Sequence, residues 1–344
     1  ALISEGGGVF SRSAKSIPLS PEIKAALDIS EDSLDPVSLI RAILKAPAEL
    51  LYLGGIGTYV KSAAETDAQV GDKSTDPLRI NADELRVKVV GEGANLGFTQ
   101  AGRIAFGHAG GRINTDAIDN SAGVDTSDHE VNIKILLNAE VQKGKLKLPE
   151  RNKLLASMTD EVAGLVLHDN YRQNQTLSLM ERMTQTRLGS KMHFIRTLES
   201  QGLLDRQIEH LPSDAEMAER KARGQGLTRP ELAVLLSYSK LVAFQQMLDS
   251  DIPEDPYLSK ELQRYFPTPL QKKYAAFMED HRLKREIIAT AVTNSTINRM
   301  GATFLMRMAE DSGRSTGEIA KAYTITRETL DARDLWTQID ALDG

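Results

Sequence analysis

The chain has 344 residues, of which 41% are hydrophobic and 26% are charged, and its formal net charge at pH 7 is -6. This balance argues against a nucleic-acid partner, because no basic surplus is available to neutralise phosphates, and the absence of cysteine excludes disulfides, thiolate metal sites and a cysteine nucleophile. No apolar run approaches the ~20 residues that a membrane-spanning helix needs, so no membrane partner is expected, and the length allows two domains.

The N-terminal sequence ALISEGGG has neither a basic stretch nor an apolar core, so it is not a secretion signal. The lack of cysteine fits a reducing compartment, and we expect a cytoplasmic protein. The sequence also starts without methionine, inside what looks like the middle of a domain. This start predicts a fragment of a longer protein.

Helices and strands alternate in the first part of the chain, up to about residue 138, which favours a parallel sheet. The spacing of apolar residues and the turn residues predict, in order, helices over residues 21–27 and 35–46, a strand over 50–53, a polar loop over 63–80, a strand over 85–90, a helix over 99–107 and a third strand over 112–118. In the strand over 85–90, Leu85, Val87 and Val89 are predicted to share one face.

The remainder of the chain has helical periodicity. It predicts helices over residues 131–141, 150–169, 176–208, 213–223, 229–249, 257–264, 268–308 and 316–323. Thr228 with Glu231, and Ser315 with Glu318, have the spacing of capping boxes. The predicted fold class is therefore α/β followed by all-α, with residues 139–344 forming a C-terminal helical domain.

Small residues cluster at the ends of two predicted strands, as Gly91-Glu92-Gly93-Ala94-Asn95 and as the turn over residues 120–123. In open α/β sheets a nucleotide lies outside the carboxyl ends of the strands, where small residues let backbone N–H groups approach it. Taken alone, Asn95 and Asn120 are better explained as ordinary turn residues, because asparagine is commonest in turns.

The sequences GEGANLGFT at residues 91–99 and NSAGVDTSDHE at 120–130 resemble two blocks of the glutamate dehydrogenases. Their spelling is similar to that of the large bacterial NAD-specific enzymes, as are ALISEGGGVFSRSAKSI, ELLYLGGIGTYVK and LTRPELAVLLSYSK elsewhere in the chain. The resemblance implies NAD-dependent oxidative deamination of L-glutamate to 2-oxoglutarate and ammonia by a homo-oligomeric enzyme. It also implies that residues 1–138 are the distal part of a Rossmann-like NAD-binding domain, with a partial parallel sheet.

The same resemblance assigns roles to individual residues. It implies that Asn95 contacts the cofactor and that Asn120 lies beside the nicotinamide ribose. It also implies that the backbone at Gly54, Gly55 and Gly93 lies close to the dinucleotide, which glycine permits.

Two interpretations of Ser127 are compatible. The spacing of Ser127 and Glu130 predicts a capping box, and a helix N-terminus attracts anions. The resemblance implies that Ser127 binds the side-chain carboxylate of glutamate. Asp128, His129 and Glu130 do not predict a metal site, because adjacent helical residues point in different directions.

The family's catalytic lysine, its proton-transfer aspartate and its Gly-rich dinucleotide turn belong to motifs that do not occur in this sequence. We therefore predict no catalytic residue in the chain and expect the isolated chain to be inactive. Two alternatives stay open: another amino-acid dehydrogenase with the same cofactor geometry, and a helical assembly or regulatory module with no activity of its own.

Overall fold

The computed structural model describes residues 3–342, which divide into two compact units. Unit 1 contains residues 3–121 together with 205–234, and unit 2 contains 122–204 together with 235–342. Unit 1 therefore includes a late segment of the sequence. The predicted domain boundary at residue 138 stays a prediction.

The elements of residues 3–121 are short. They are β1 (Ile17–Pro18), α1 (Pro21–Leu27), β2 (Ser33–Leu34), α2 (Pro36–Leu44), β3 (Leu50–Leu53), β4 (Val60–Lys61), α3 (Asp67–Val70), β5 (Ile80–Asn81), β6 (Val89–Glu92), α4 (Gln100–His108) and α5 (Asp116–Asp119). Helix α1 begins at its predicted residue and α2 one residue later than predicted. Ser20 and Asp35 cap them, and each has proline in its first turn.

The strands of unit 1 form small sheets. β3 pairs with β6 in parallel, from Leu50 opposite Val89 to Leu53 opposite Glu92, and β4 pairs with β5 in parallel. β1 and β2 are antiparallel. The core beneath these strands is made of side chains from β3, β4, β5, β6 and α4, including Leu53, Val60, Ile80, Val90, Phe98 and Phe106. The prediction of parallel strands in an α/β region is confirmed.

Two predicted strands differ from the structure. β6 starts at Val89, which is exposed, whereas Val87 is buried, so the predicted shared face of residues 85–89 is wrong. The predicted strand over 112–118 is reduced to one parallel bridge between Arg112 and Val89, followed by α5. Short polar side chains at residues 114–116 bond locally, which favours turns and helix starts over a strand.

The rest of the chain is helical, as predicted. It forms α6 (Ser121–Gln142), α7 (Leu148–Ala156), α8 (Thr159–Arg182), α9 (Leu188–Ser200), α10 (Asp214–Ala222), α11 (Arg229–Leu248), α12 (Ser259–Tyr265), α13 (Thr268–Lys273), α14 (Ala275–Met278), α15 (Lys284–Met300), α16 (Phe304–Ser312), α17 (Thr316–Thr329) and α18 (Ala332–Asp340). The capping box of Ser315 and Glu318 is present at α17, and the Glu231 carboxylate accepts hydrogen bonds from the N–H and hydroxyl of Thr228 at α11.

Some helix boundaries were mispredicted. The single helix predicted over 268–308 is four helices, and α15 ends where Gly301 adopts a positive φ of 83°. α6 starts ten residues before the predicted position, and α18 was not predicted. Over residues 3–342, no helix combines the length and the apolarity that crossing a lipid bilayer demands.

Candidate functional site

The turn that follows β6 is fixed to the end of β3. The backbone N–H of Ala94 donates to the carbonyl of Leu53 at 3.0 Å, so the turn continues the parallel pairing beyond Glu92. A Cβ at Gly93 would collide with the hydroxyl of Tyr52, so a side chain at this position would require the tyrosine ring to move.

The two predicted cofactor-binding asparagines are in contact. Asn95 is exposed in the turn after β6, and Asn120 follows α5. The Asn120 Nδ2 donates to the Asn95 Oδ1 at 2.6 Å. Two turns that are 25 residues apart in the sequence therefore present their amide groups side by side.

Two aspartates of α5 hold the turn after β6 by its backbone. Asp119 accepts a hydrogen bond from the N–H of Glu92 at 2.9 Å, and Asp116 accepts one from the N–H of Leu96 at 2.8 Å. Leu96 has a φ of 63°, which is unfavourable for a residue with a branched apolar side chain. The bond from Asp116 helps to hold this conformation.

Asp119 is itself held from a distant part of unit 1. The Asn114 Nδ2 donates to the second Asp119 oxygen at 2.6 Å, and the Arg229 Nε donates to the Asn114 Oδ1 at 2.5 Å. Burial raises the pKa of Asp119, while its hydrogen bonds oppose that shift. A polar chain thus runs from the start of α11 to the turn.

A buried ion pair lies beneath the turn. Arg103 of α4 donates to both carboxylate oxygens of Glu92, at 2.6 and 2.9 Å, and the N–H of Phe98 donates to Glu92 at 3.0 Å. The Glu92 side chain is 0% exposed and that of Arg103 is 7% exposed. Such a pair is costly to break, because removing one partner leaves a charge without water or a counter-charge.

Gly54 and Gly55 follow β3, on the strand adjacent to the turn after β6. An added Cβ at Gly55 would meet no atom within 4 Å, and one at Gly54 would meet only the Tyr52 ring, at 3.5 Å. The backbone is therefore accessible here. The structure brings Gly54, Gly55 and Gly93 to the carboxyl ends of two neighbouring parallel strands, whereas their contact with a cofactor stays a prediction.

Ser127 does not cap a helix, so the capping-box interpretation is wrong. Helix α6 begins at Ser121, which puts Ser127 in the second turn, where its hydroxyl donates to the carbonyl of Gly123 at 3.2 Å. The segment around Gly123 was expected to be a turn, but it continues as helix. Ser127 is therefore not at a helix N-terminus, and its binding of glutamate stays a prediction.

The opposite side of α6 carries a cluster of titratable groups in unit 2. The His129 ring is stacked on Tyr265 with centroids 4.3 Å apart, and its Nε2 lies 3.6 Å from the Asp125 Oδ1. Burial, with repulsion from Asp169, raises the pKa of Asp125 to about 6. Burial lowers the pKa of Lys240, which faces both aspartates, to about 8.

Within residues 3–342, no group of three or more His, Asp or Glu side chains is arranged to hold a metal ion. His129 points towards Asp125, whereas Glu130 is exposed and forms an ion pair with Lys134. These neighbours thus serve separate contacts on different sides of α6.

The sequence analysis missed several residues that shape the site: Tyr52, Glu92, Arg103, Asp116 and Asp119. A charged residue inside a strand-end turn was a signal for Glu92, because such a group needs a partner once it is buried. The partner could not be identified from the sequence, since α4 brings Arg103 back to the turn only after folding.

Comparison with known protein families matches the chain in two segments. Residues 1–180 match the family described as the catalytic domain of bacterial NAD-glutamate dehydrogenase, and residues 224–344 match the one described as the C-terminal part of glutamate dehydrogenase.

Curated relatives agree with this match. The chain is 53% identical over 342 residues to an NAD-specific glutamate dehydrogenase of Pseudomonas aeruginosa, 51% identical over 343 residues to one of Halomonas elongata and 45% identical over 348 residues to one of Mycobacterium tuberculosis. These alignments cover 99%, 100% and 99% of the chain, but the chain spans only 21% of each relative.

The ion pair beneath the turn yields a stability prediction. Arg103→Met should lower the free energy of unfolding by about 3 to 5 kcal/mol, because it leaves the Glu92 carboxylate buried without a partner. Arg103→Met combined with Glu92→Gln should recover much of this loss. Urea unfolding at pH 7.5 measures both. Lys88→Met, which removes an ion pair exposed on both sides, is the control and should cost less than about 1 kcal/mol. Equal, small losses in all variants would contradict the importance of the buried pair.

The cluster on α6 yields a pH prediction. Asp125 has a pKa of about 6 when folded and 3.8 as the reference value, so the folded state binds its proton more tightly than the unfolded chain does. Its stabilising contribution is therefore complete below pH 3.8 and is lost as the pH rises through about 6. Asp125→Asn should exceed the wild type in unfolding free energy by about 1 to 3 kcal/mol at pH 8, and the difference should disappear near pH 4.

Urea unfolding of the wild type and of Asp125→Asn between pH 4 and pH 8 tests this sign. Asp311→Asn, an exposed carboxylate of α16 in the same unit, serves as the matched control and should show no such crossover. A difference that is constant with pH would refute the raised pKa of Asp125.

Proposed function

The chain belongs to the bacterial NAD-dependent glutamate dehydrogenase family, and on that basis we propose that it forms the nicotinamide side of the cofactor site in an enzyme that deaminates L-glutamate oxidatively to 2-oxoglutarate and ammonia. The observation that carries the proposal is the contact between Asn95 and Asn120. Two separate turns deliver polar amides to one place, which an isolated Asn-containing turn would not require.

The cofactor proposed is NAD, and the proposed frame is part of a Rossmann-like sheet. The parallel pairing of β3 with β6, and the accessible glycines Gly54 and Gly55 that follow β3, support it. In open α/β sheets this is the end at which dinucleotides bind. Gly54, Gly55 and Gly93 would let the cofactor approach the backbone closely.

The asparagine contact leaves groups for a ligand. It uses one N–H of Asn120 and the Oδ1 of Asn95, so the Asn95 amide can donate and the Asn120 carbonyl can accept. A donor beside an acceptor suits the hydroxyls and the carboxamide of nicotinamide riboside. When bound, NAD supplies the ring that accepts hydride from the substrate α-carbon. The asparagines would orient that ring, while Asp116 and Asp119 keep the turn in shape.

Ser127 is the proposed ligand of the distal carboxylate of glutamate. Ser127 is exposed, and its hydroxyl donates to the carbonyl of Gly123 within its own helix. Such a hydroxyl can rotate to donate to a carboxylate. The catalytic lysine and aspartate are proposed to lie outside this chain, and the complete enzyme is proposed to be a cytoplasmic homo-oligomer.

A crossed pair of variants tests the assignments in the enzyme expressed from the complete reading frame. Asn95→Ala or Asn120→Ala should lower kcat/KM for NAD by roughly 5- to 30-fold, equivalent to about 1 to 2 kcal/mol, because one hydrogen-bonding partner of the cofactor is lost. Asn152→Ala, at an exposed position on α7, is the control. Unchanged NAD kinetics in both site variants would refute the cofactor assignment.

Ser127→Ala is the other half of this comparison. It should lower kcat/KM for glutamate by a factor equivalent to about 1 to 3 kcal/mol, because it removes a donor to a charged group. The kcat/KM for NAD should change little. If the serine variant instead affects NAD and the asparagine variants affect glutamate, the two assignments are exchanged and the proposal is wrong.

The isolated chain gives a separate prediction. Purified alone, it should be folded, should not oxidise glutamate measurably, and should bind NAD with a Kd above ~1 mM, or less than ~4 kcal/mol of binding free energy. The reason is that half of a sheet offers only part of the contacts to a dinucleotide. Absorbance of NADH and calorimetric titration measure both properties. Steady turnover would show that catalytic residues do lie in this chain, and would also exclude an inactive helical module.

A further inference from the structure

Tyr52 lies across the glycines of the candidate cofactor site. Its backbone is opposite Gly91 in the parallel pairing of β3 and β6. A Cβ on Gly91 would lie 3.2 Å from the ring and one on Gly54 would lie 3.5 Å from it, while one on Gly93 would collide with the hydroxyl. We call Gly54, Gly91 and Gly93 the glycine floor. The aromatic ring covers this floor.

The ring is held by little else. Its neighbour in β3, Leu53, is buried, whereas Tyr52 is 65% exposed, so the tyrosine points away from the core. Over residues 3–342 its hydroxyl makes no hydrogen bond. A side chain in this setting can change rotamer quickly and at low cost, because neither buried contacts nor hydrogen bonds are lost.

We propose that Tyr52 competes with the cofactor for the glycine floor: its ring rests there in the free protein and turns away when the nicotinamide side of NAD binds. This inference rests on the proposed function, because Gly54 and Gly93 belong to the proposed cofactor site. One surface of backbone can hold only one flat ring at a time. The apparent affinity for NAD is then the intrinsic affinity multiplied by the fraction of molecules in which the ring is off the floor.

Competition and stacking predict opposite changes in NAD affinity when the tyrosine is removed. A tyrosine that stacked on the nicotinamide would strengthen the binding of NAD, so its removal would raise the Kd. A tyrosine that occupies the glycine floor weakens the binding of NAD, so its removal should lower the Kd. The substitution Tyr52→Thr separates the two, because threonine favours strands but is too short to reach Gly93.

In the enzyme expressed from the complete reading frame, Tyr52→Thr should lower the Kd for NAD by about 3- to 10-fold, corresponding to a ring that covers the floor in most free molecules. The KM for glutamate should not change. Tyr52→Phe keeps the ring and should resemble the wild type. Tyr257 is also exposed but lies in unit 2. Tyr257→Ala is therefore the control and should leave the Kd for NAD unchanged. A Kd that rises or stays constant in Tyr52→Thr overturns the inference.

A measurement on the unsubstituted 344-residue chain remains decisive even if Tyr52→Thr does not fold. In nuclear Overhauser spectra the Tyr52 ring protons should be close to the α-protons of Gly91 and Gly93, and these contacts should weaken as nicotinamide mononucleotide is added to saturation. Contacts that persist at saturation overturn the competition.

The Asn95→Ala variant separates this inference from the proposed function. If Asn95→Ala raises the Kd for NAD and Tyr52→Thr leaves it unchanged, the proposed cofactor site is supported and the proposed competition is wrong. If neither variant alters NAD binding, the cofactor site itself is wrong.

Discussion

The ion pair of Glu92 and Arg103 is the interaction on which the site depends. Glu92 is the last residue of β6, and its carboxylate accepts from Arg103 and from the N–H of Phe98, so strand, turn and α4 are joined at one buried group. A buried charged pair adds little net stability compared with apolar packing, but breaking it is costly, because one charge would stay buried without its partner. The accessible backbone above it is therefore held by a rigid base.

Positioning and recognition are divided between residue types. Carboxylates position the turn: Asp116 and Asp119 accept hydrogen bonds from its backbone N–H groups. Neutral amides and glycines form the outer surface, at Asn95, Asn120 and Gly55. This division suits an anionic dinucleotide, since the negative charges that shape the turn are neutralised by hydrogen bonds and by Arg103 instead of facing the ligand.

The sequence was most informative where local chemistry decides the structure. Caps and prolines marked α1 and α2, and the strand at Leu50–Leu53 was predicted with its bounds. It failed at residues 112–118, where the expected strand is replaced by α5. Asn114 and Asp116 bond to neighbouring residues, and the carboxylates of α5 accept from the turn after β6, which only the folded chain brings close. The proximity of Asn95 to Asn120 followed only from family resemblance, and Tyr52 was missed because its position depends on strand register.

Unit 1 is discontinuous, and this has a consequence for its synthesis. Arg229 donates to Asn114 across 115 residues of sequence, and Asn114 in turn supports Asp119 behind the turn. On the ribosome residues 3–121 emerge long before this partner is synthesised. Long-range contacts form slowly, and partly folded chains expose apolar surface. Unit 1 therefore stays incompletely folded while the first part of unit 2 is synthesised. A chain truncated between residues 121 and 229 would therefore lack the Arg229 donor that supports Asn114 behind the turn.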